Sequence, residues 1–416
     1  MARFAWLYPY VAVGIMKLVE EIAGFAPEIA ILRREIHAHP ELCYQEHRTA
    51  ELVATKLAGW GIEVSRGLGG TGVVGTIRGT IRAGSSTRSI GLRADMDALP
   101  MTEHNGFEHR SSTPGRMHAC GHDGHVAMLL AAARHLAANR NFDGIVHLIF
   151  QPAEEGGAGA RQMIEDGLFK QFPCDAVFGV HNWPGLAVGE FAVAPGPVMA
   201  SSNEFEIVIT GKGGHAANPH LTVDPVLVAC QMVMALQTVV TRNKKPIESA
   251  VLSVTQIHTG ETSNVIPDTA AISGTVRTFS VEALDVIEQR MGEIVAGLPP
   301  VFGASAELRF HRNYPPTINH ESESLFAREV LTEMVGEAAV QVCEPTMGSE
   351  DFSYMLLERP GSYVLIGNGD GEHRASGHGE GPCTLHNANY DFNDDLIPLG
   401  ASFWVRLVEK FLAPAA

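Results

Sequence analysis

Three apolar segments that are each followed by residues able to bind a metal ion constrain the fold of this chain most strongly. The segments are residues 89–93, 144–150 and 176–180. The residues that follow them are Asp95, Asp97, Glu154, Glu155 and His181. Short apolar runs alternating with helical patterns predict buried strands in a mostly parallel sheet. Because functional residues gather at the carboxyl ends of such strands, we expect these side chains to meet at one edge.

A cluster of histidine and cysteine lies between the first two strands, in HACGHDGH, residues 118–125. Such groups are costly to hold together unless a cation binds them. Cys120 and His122 are the candidate ligands. His118 and His125 are assigned to capping and packing of the strong helix predicted from residue 125 to 139. The chain has no HExxH motif, so a helix-borne zinc-protease site is not predicted.

Five side chains are predicted as metal ligands. They are Cys120, His122, Glu155, His181 and His386, the last in TLHNANYDF. One catalytic zinc ion uses three protein ligands and a water, so five ligands favour two divalent ions. A thiolate can bridge two cations. Thiolate and imidazole favour zinc, whereas the carboxylate also permits manganese.

Two further acidic residues are predicted to act beside these ions. Glu154 would stand next to the metal without binding it, where a general base can take a proton from water. Asp97 is interpreted as a residue that orients a ligand, with a simple strand-end turn as the alternative. For Glu154 and Glu155 the alternative is a pair of solvated surface acids.

The order of elements predicts an inserted domain. Residues 199–312 follow a β-α-β-β-α-β pattern typical of a ferredoxin-like unit, and α/β alternation returns after it. We therefore expect an α/β catalytic domain in two parts, residues 1–198 and 313–416. Its central, mostly parallel sheet is flanked by helices, and the insert is α+β. The glycine-rich GLGGTG at residues 67–72 precedes a strand, not a helix, which favours a hairpin over a dinucleotide site.

Composition excludes some classes of function. A formal net charge of −17 over 416 residues argues against nucleic-acid binding. The six cysteines are dispersed without a CxxC pair, which predicts a reduced, cytoplasmic compartment. Without an apolar stretch of about 20 residues, no membrane span is predicted. The apolar residues 1–15 are interpreted as a short tail before a true start at Met16.

A series of motifs in fixed order resembles one family. The motifs are RADMDALPMTE, MHACGHDGH, QPAEEG, GVHNWP, GKGGHAANPH, GETSNVIPD, GTVRTF, GSEDF and LHNANYDF. Over residues 32–395 the chain resembles the amidohydrolases that include hippurate hydrolase, N-acyl-amino-acid hydrolases and plant auxin-conjugate hydrolases. These belong to the aminoacylase and glutamate-carboxypeptidase superfamily. The resemblance implies a metal-bearing α/β domain with an inserted ferredoxin-like lid that often mediates dimerisation.

The resemblance places the family's metal ligands on the same five residues and its general base on Glu154. Relatives outside this subgroup use a bridging aspartate, which Cys120 replaces here. Their HxD motif appears as Asp95-Met96-Asp97, so the supporting aspartate is retained and a histidine ligand is lost.

The resemblance also implies three residues of the inserted domain that act on substrate. His215 would stabilise the oxyanion from the partner subunit of a homodimer or homotetramer. Asn264 and Arg277 would hold the substrate carboxylate, for which an arginine fork is suited. The alternatives are a turn before Pro267 for Asn264 and a solvated strand face for Arg277.

The leading hypothesis from the sequence is hydrolysis of the amide bond in an N-acyl or N-aroyl amino acid. A dipeptidase or carboxypeptidase with the same centre is the first alternative. A metal-binding homologue that has lost catalysis is the second.

Overall fold

The structure is a computed structural model that describes residues 16–81, 86–374 and 377–414. The predicted tail, residues 1–15, lies outside these residues. The chain divides into two compact units. The larger contains the described residues up to Gly196, Asn319–Glu344 and those from Met355 onward, and the smaller contains Pro197–Ile318 and Pro345–Tyr354. The short segment Pro345–Tyr354 was not predicted to belong with the insert.

The elements are numbered in chain order. The strands are β1 (Glu63–Leu68), β2 (Gly72–Arg78), β3 (Ser89–Asp95), β4 (Ile145–Gln151), β5 (Ala176–Pro184), β6 (Phe191–Ala192), β7 (Gly196–Met199), β8 (Ser202–Thr210), β9 (Gly214–His215), β10 (Ala250–His258), β11 (Val265–Ile266), β12 (Thr269–Thr278), β13 (Ser305–Tyr314), β14 (Thr317–Asn319), β15 (Val340–Gln341) and β16 (Gly361–Gly369). The α-helices are α1 (Glu20–Ala38), α2 (His47–Gly59), α3 (His122–Ala138), α4 (Gly159–Glu165), α5 (Leu168–Gln171), α6 (Pro225–Thr238), α7 (Val281–Gly297), α8 (Glu321–Val335), α9 (Ser353–Glu358) and α10 (Leu396–Phe411).

The larger unit is built on one mixed sheet in the order β1-β2-β4-β3-β5-β16-β6-β15. Its centre, β4-β3-β5-β16, is parallel, and antiparallel pairs lie towards the edges. Buried residues of α1, α3 and α10 pack with the strands in one apolar core. The predicted α/β architecture is confirmed, and β3, β4 and β5 bring their carboxyl ends to one side of the sheet.

Local boundaries differ from prediction where tertiary contacts decide them. Helix α1 continues through Pro27, a residue that usually kinks or ends a helix. Ile22, Phe25 and Ile29 are buried on one stripe of α1, and this packing outweighs the lost backbone hydrogen bond. His181 lies inside β5 instead of after it, since β5 pairs with β16 beyond that residue. The hairpin at GLGGTG is confirmed by the antiparallel pairing of β1 and β2.

The smaller unit has the predicted ferredoxin-like order β8-α6-β10-β12-α7-β13. Its four strands form an antiparallel sheet in the order β10-β12-β8-β13. Apolar residues of α6 and α7 pack with the strands in a core of their own. Because this unit builds a core of its own, the order of elements and the spacing of apolar residues change where the insert begins.

One helical segment of the smaller unit meets the length and composition of a membrane span. It is Pro225–Asn243, 19 residues that include α6, and the sequence analysis did not single it out. Val228, Met232 and Leu236 on this helix belong to the core of the smaller unit. An apolar helix that packs one face on the sheet of its own domain also meets this criterion of length and composition.

A buried charged cluster joins α1 to α3 and to the segment before α10. Arg33 is 1% exposed, and its guanidinium donates to Asp391 at 2.9 Å, to Asp123 at 3.3 Å and to Asp394 at 2.8 Å. His37, one turn further along α1, contacts Asp123 at 2.9 Å and Glu103 at 3.2 Å. These charges are paired inside the unit and hold α1 against the start of α3.

The pairing of His37 predicts a stability that depends on pH. Burial disfavours its charge, but Asp123 and Glu103 outweigh this effect and raise the pKa of His37 from 6.5 to about 10. Because the folded pKa lies above the unfolded value, the contribution is complete below pH 6.5 and is lost as the pH rises through 10. We expect the difference in unfolding free energy between wild type and His37→Gln to shrink across this range.

Urea unfolding from pH 6 to pH 10.5 measures this difference. His39→Gln is the matched control, because it removes a partly exposed imidazole whose ring bonds only to the Glu35 carbonyl oxygen among the described residues. A difference for His37→Gln that stays constant with pH would contradict the charged state.

Candidate metal centre

The start of α3 places Cys120 and His122 at the edge of the sheet. Gly121 precedes the helix with a φ of 90°, in the left-handed region that favours glycine. A Cβ at this position would lie 2.2 Å from the Asn182 amide nitrogen and 2.4 Å from the Tyr390 hydroxyl. The backbone turns here in a space that only glycine fits, and His122 becomes the first residue of α3.

The five predicted ligands come together as two triads that share the thiol of Cys120. In the first, ligand atoms of Cys120, His122 and His181 all lie within 4.8 Å of one another. In the second, the same holds for Cys120, Glu155 and His386. Two groups of three donors that share one sulfur are residues that would hold two divalent ions.

Several atoms of this cluster are buried without a hydrogen bond, and this supports a fit to cations. Among the described residues, neither ring nitrogen of His122 has a hydrogen-bond partner. Oε1 of Glu155 also has no hydrogen bond, and the His386 ring nitrogen lies 3.2 Å from it. The nearest carboxylate oxygens of Asp97 and Asp95 stand 3.4 and 3.6 Å from the His122 ring. Buried polar atoms rarely remain unpaired in a folded protein, so their convergence indicates a ligand.

The charge balance of the cluster also favours cations. Burial, Glu155 and Glu154 raise the pKa of the Cys120 thiol well above its ordinary value. Asp95 and Asp97 raise the pKa of His122 to about 10 in spite of its burial. Divalent ions would reverse both effects, since they favour the thiolate and the neutral imidazole.

Asp97 holds the backbone of the two glutamates. Its Oδ1 accepts the N–H of Glu154 and its Oδ2 accepts the N–H of Glu155, both at 2.9 Å. Asp97 is fully buried and these bonds, with His122, lower its pKa against the effect of burial. Through these two bonds Asp97 holds the backbone of both glutamates. Another group of possible ligands consists of His122, Glu154 and Glu155. One ligand atom of each lies within 4.8 Å of those of the other two.

His181 has a fixed ring orientation. Its Nδ1 lies 2.6 Å from the Asn182 carbonyl oxygen, and its Nε2 lies 3.3 Å from the Cys120 sulfur. Burial and the nearby His125 lower the pKa of His181 well below its ordinary value. A neutral ring that donates from Nδ1 leaves Nε2 to act as a ligand.

Both ring nitrogens of His125 have hydrogen-bond partners among the described residues. Its Nδ1 lies 2.6 Å from Asp95, and its Nε2 accepts the backbone N–H of Asn182 at 3.0 Å. Asp95 also accepts from Arg93 at 2.7 Å. Both oxygens of Asp95 are therefore hydrogen-bonded, one with His125 and one with Arg93. The resemblance implies a histidine ligand at this position in relatives outside the subgroup.

His386 approaches from the last part of the chain. Its Nε2 lies 3.2 Å from Oε1 of Glu155, and its backbone N–H donates to the Ala119 carbonyl oxygen at 2.8 Å. Its φ of 58° is in the left-handed region, a conformation that costs a residue with a Cβ about 1–2 kcal/mol. Strain of this kind persists where surrounding contacts hold a functional residue.

The three residues predicted to bind substrate lie in the smaller unit. His215 is exposed on β9, which pairs with β11 so that His215 faces Val265, the neighbour of Asn264. The Ala216 N–H donates to the Asn264 carbonyl oxygen at 3.0 Å, so the two motifs lie side by side. Arg277 is half-buried on β12 and donates to the Ser349 hydroxyl at 3.1 Å.

The sequence of most of the chain also matches a family profile. Residues 91–410 match Peptidase family M20/M25/M40. The chain belongs to this family. Within it the chain falls among the amidohydrolases that the motifs indicated, and it is a metal-dependent amidohydrolase, not merely a metal-binding homologue.

Individual members of the M20 family are similar over nearly their whole length. The hippurate hydrolase of Campylobacter jejuni is 40% identical over 403 residues, which cover 95% of this chain and 100% of that protein. Thermostable carboxypeptidase 1 of Saccharolobus solfataricus is 37% identical over 404 residues, 95% of this chain and 98% of that protein. A crystal structure of the Bacillus subtilis YXEP protein, described as a dinuclear metal-binding peptidase of the M20 family, has a TM-score of 0.80 at 32% identity and covers 94% of this chain and 99% of that chain.

Two residues near the M20 centre were missed by sequence analysis. Cys43 places its thiol 3.2 Å from Asp97 and 3.0 Å from the Glu155 carbonyl oxygen. Glu46 is buried and accepts the Ala153 N–H at 2.9 Å. In the sequence both lie in HPELCYQE, where Glu46 resembles an ordinary solvated helix start, so no local signal distinguishes it.

Proposed function

We propose that this chain hydrolyses the amide bond of N-acyl or N-aroyl amino acids at a centre that holds two divalent ions. Cys120, His122 and His181 would hold one ion, and Cys120, Glu155 and His386 the other. The observation that carries the proposal is the shared position of the Cys120 sulfur in both triads. Thiolate and imidazole favour zinc, and the carboxylate also permits manganese.

The ions, when bound, would polarise the attacking water and the substrate carbonyl. Glu154 would accept the proton of that water and then deliver it to the leaving amine, so that one carboxylate serves both steps. Asp97 would keep Glu154 in place through its backbone N–H. Each turnover would consume one water and release a carboxylic acid and a free amino acid.

The residues of the smaller unit would bind the rest of the substrate. His215 is proposed to donate to the oxyanion, and Asn264 and Arg277 to hold the free carboxylate. The lowered pKa of Arg277, caused by burial, still leaves the guanidinium charged at neutral pH.

We propose that a second copy of the chain supplies His215, in a homodimer or a homotetramer. Helix α6 exposes Leu227 and Met234, 52% and 69% accessible, on the side away from its own core. An exposed apolar helix face of this kind can pack against the apolar surface of a second copy of the chain. The dispersed free cysteines support a cytoplasmic location. Nucleic acid is not proposed as a partner, because the net charge is −17.

The test is release of free amino acid from a panel of acetyl-, benzoyl- and indoleacetyl-amino acids. We expect turnover that disappears after chelation and returns when zinc or manganese is restored. In the proposed mechanism the attacking water is activated only at the bound metal ions. The panel ranks the acyl groups, and the restoring ion identifies the metal. Activity that survives complete removal of metal would contradict the proposal.

A second candidate is a carboxypeptidase or dipeptidase that uses the same centre. It is favoured by the 37% identity to a protein named thermostable carboxypeptidase 1. Dipeptides and acyl-dipeptides added to the same panel separate the two, because only a peptidase would prefer them to simple acyl-amino acids.

A further inference from the structure

The loop between β4 and α4, residues 152–158, carries the catalytic pair in an unusual backbone conformation. Ala153 and Ala158 both have positive φ values, 55° and 53°, although neither is glycine. A Cβ on Gly159 would lie 1.8 Å from the Pro152 carbonyl oxygen, so the loop folds tightly onto itself. A conformation of this kind needs fixed partners to persist.

Two buried carboxylates bind three consecutive N–H groups of this loop. Glu46 accepts from Ala153, while Asp97 accepts from Glu154 and Glu155, each at 2.9 Å. Both carboxylates are at most 1% exposed. Glu46 therefore fixes the peptide between Pro152 and Ala153, and Asp97 fixes the peptides on both sides of Glu154.

Glu46 is itself held in place by other segments. Its Oε1 also accepts the Tyr44 N–H at 2.9 Å, and its Oε2 accepts the Thr71 hydroxyl at 2.6 Å. The same N-terminal segment reaches the loop twice more, through the Cys43 thiol at the Glu155 carbonyl oxygen and the Tyr44 hydroxyl at the Gly157 carbonyl oxygen. Glu46 thus joins the start of α2, the β1–β2 turn and the catalytic loop.

We propose that Glu46 is a positioning residue for catalysis, which fixes the left-handed Ala153 and thereby aims Glu154 at the attacking water and Glu155 at its metal ion. The proposal rests on the function proposed above for these two glutamates. Without the acceptor for the Ala153 N–H, the peptide between Pro152 and Ala153 can rotate and shift the backbone that leads into Glu154. A displacement of about 1 Å at a reacting group can cost about 10²-fold in rate.

The experiment compares Glu46→Leu, Glu46→Asp and Glu46→Gln. The glutamine retains an oxygen that accepts the Ala153 N–H and an amide that bonds to Thr71, so we expect kcat within about threefold of wild type. Glu46→Leu removes the acceptor, and kcat should fall about 10²-fold with little change in KM. One of the two ions should also bind more weakly, about tenfold in competition with a chelator, as Glu155 shifts. Glu46→Asp, which withdraws the carboxylate by one methylene, should lie between Leu and Gln in both readouts.

Glu41→Leu is the matched control. Glu41 also accepts two backbone N–H groups, from Arg48 and Thr49 at 2.9 Å, but these belong to α2 and not to the catalytic loop. A structural role alone would lower the unfolding midpoint of both leucine variants and leave kcat and metal binding of the folded protein unchanged. Wild-type kcat and metal binding in folded Glu46→Leu, or in Glu46→Asp if the leucine variant does not fold, would overturn the proposal.

The metal titration also separates this proposal from the proposed function. If wild type binds two ions but cleaves no amide, the proposed reaction fails while metal binding still reports the effect of Glu46. If wild type cleaves amides and folded Glu46→Leu matches it both in kcat and in the binding of both ions, the positioning role alone fails.

Discussion

Glu154→Gln is expected to reduce kcat about 10³-fold while both metal ions remain bound. The amide keeps the shape of the side chain and the backbone bond from Glu154 to Asp97, but it cannot take a proton from water. KM should change little, because the role proposed for Glu154 is transfer of the reacting proton and not substrate binding. Steady-state kinetics on the best acyl-amino acid, with metal content measured on the same sample, make the test.

Substitution of Glu155, the neighbour of Glu154, should affect metal binding instead of proton transfer. Glu155→Gln should lose one ion, since Oε1 of Glu155 belongs to the triad with Cys120 and His386. Glu165→Gln, on the exposed side of α4, should match wild type in both measurements. Full turnover in Glu154→Gln with normal metal content would show that another group is the base.

Arg33→Met is expected to lower the free energy of unfolding by about 3–5 kcal/mol. The substitution keeps much of the volume but removes the guanidinium that both Asp123 and Asp391 contact, and His37 is then the remaining cationic partner of Asp123. Asp391→Asn in the same chain should recover part of this loss, because one of the unpaired charges is removed. Urea unfolding at neutral pH gives the comparison.

Arg34→Met is the control for this prediction. Arg34 also pairs with Asp394, at 2.8 Å, but its side chain is 52% exposed. An exposed pair contributes about 0–1 kcal/mol, so this variant should unfold close to wild type. Equal losses in the Arg33 and Arg34 variants would contradict the special role of the buried cluster.

Much of the fold follows from local sequence patterns. The strands that precede Asp95 and Glu154 are short apolar runs, and α/β alternation between them determines a parallel centre. The ferredoxin-like unit is visible because its six elements each carry their own periodicity and require a separate core. The residue types of the site are equally local, since the sequence places cysteine and histidine in HACGHDGH and two glutamates after an apolar strand.

Other features of the site depend on contacts that no local pattern encodes. The bond from Ala153 to Glu46 spans 107 residues, and the pair of Arg33 with Asp391 spans 358. Pro27 should end a helix by its own chemistry, yet α1 continues because its apolar stripe packs into the core.

The sequence by itself therefore determined the types of residue at the centre, the order of the elements and the inserted unit, because each depends on composition or on a periodicity a few residues long. Only the tertiary structure decided that one thiol belongs to two triads and that two distant carboxylates bind the backbone of the loop 152–158. Those features arise where segments that are distant in sequence meet in space. Because a buried charge or N–H group without a partner costs free energy, burial at these contacts favours the arrangement in which each group is paired.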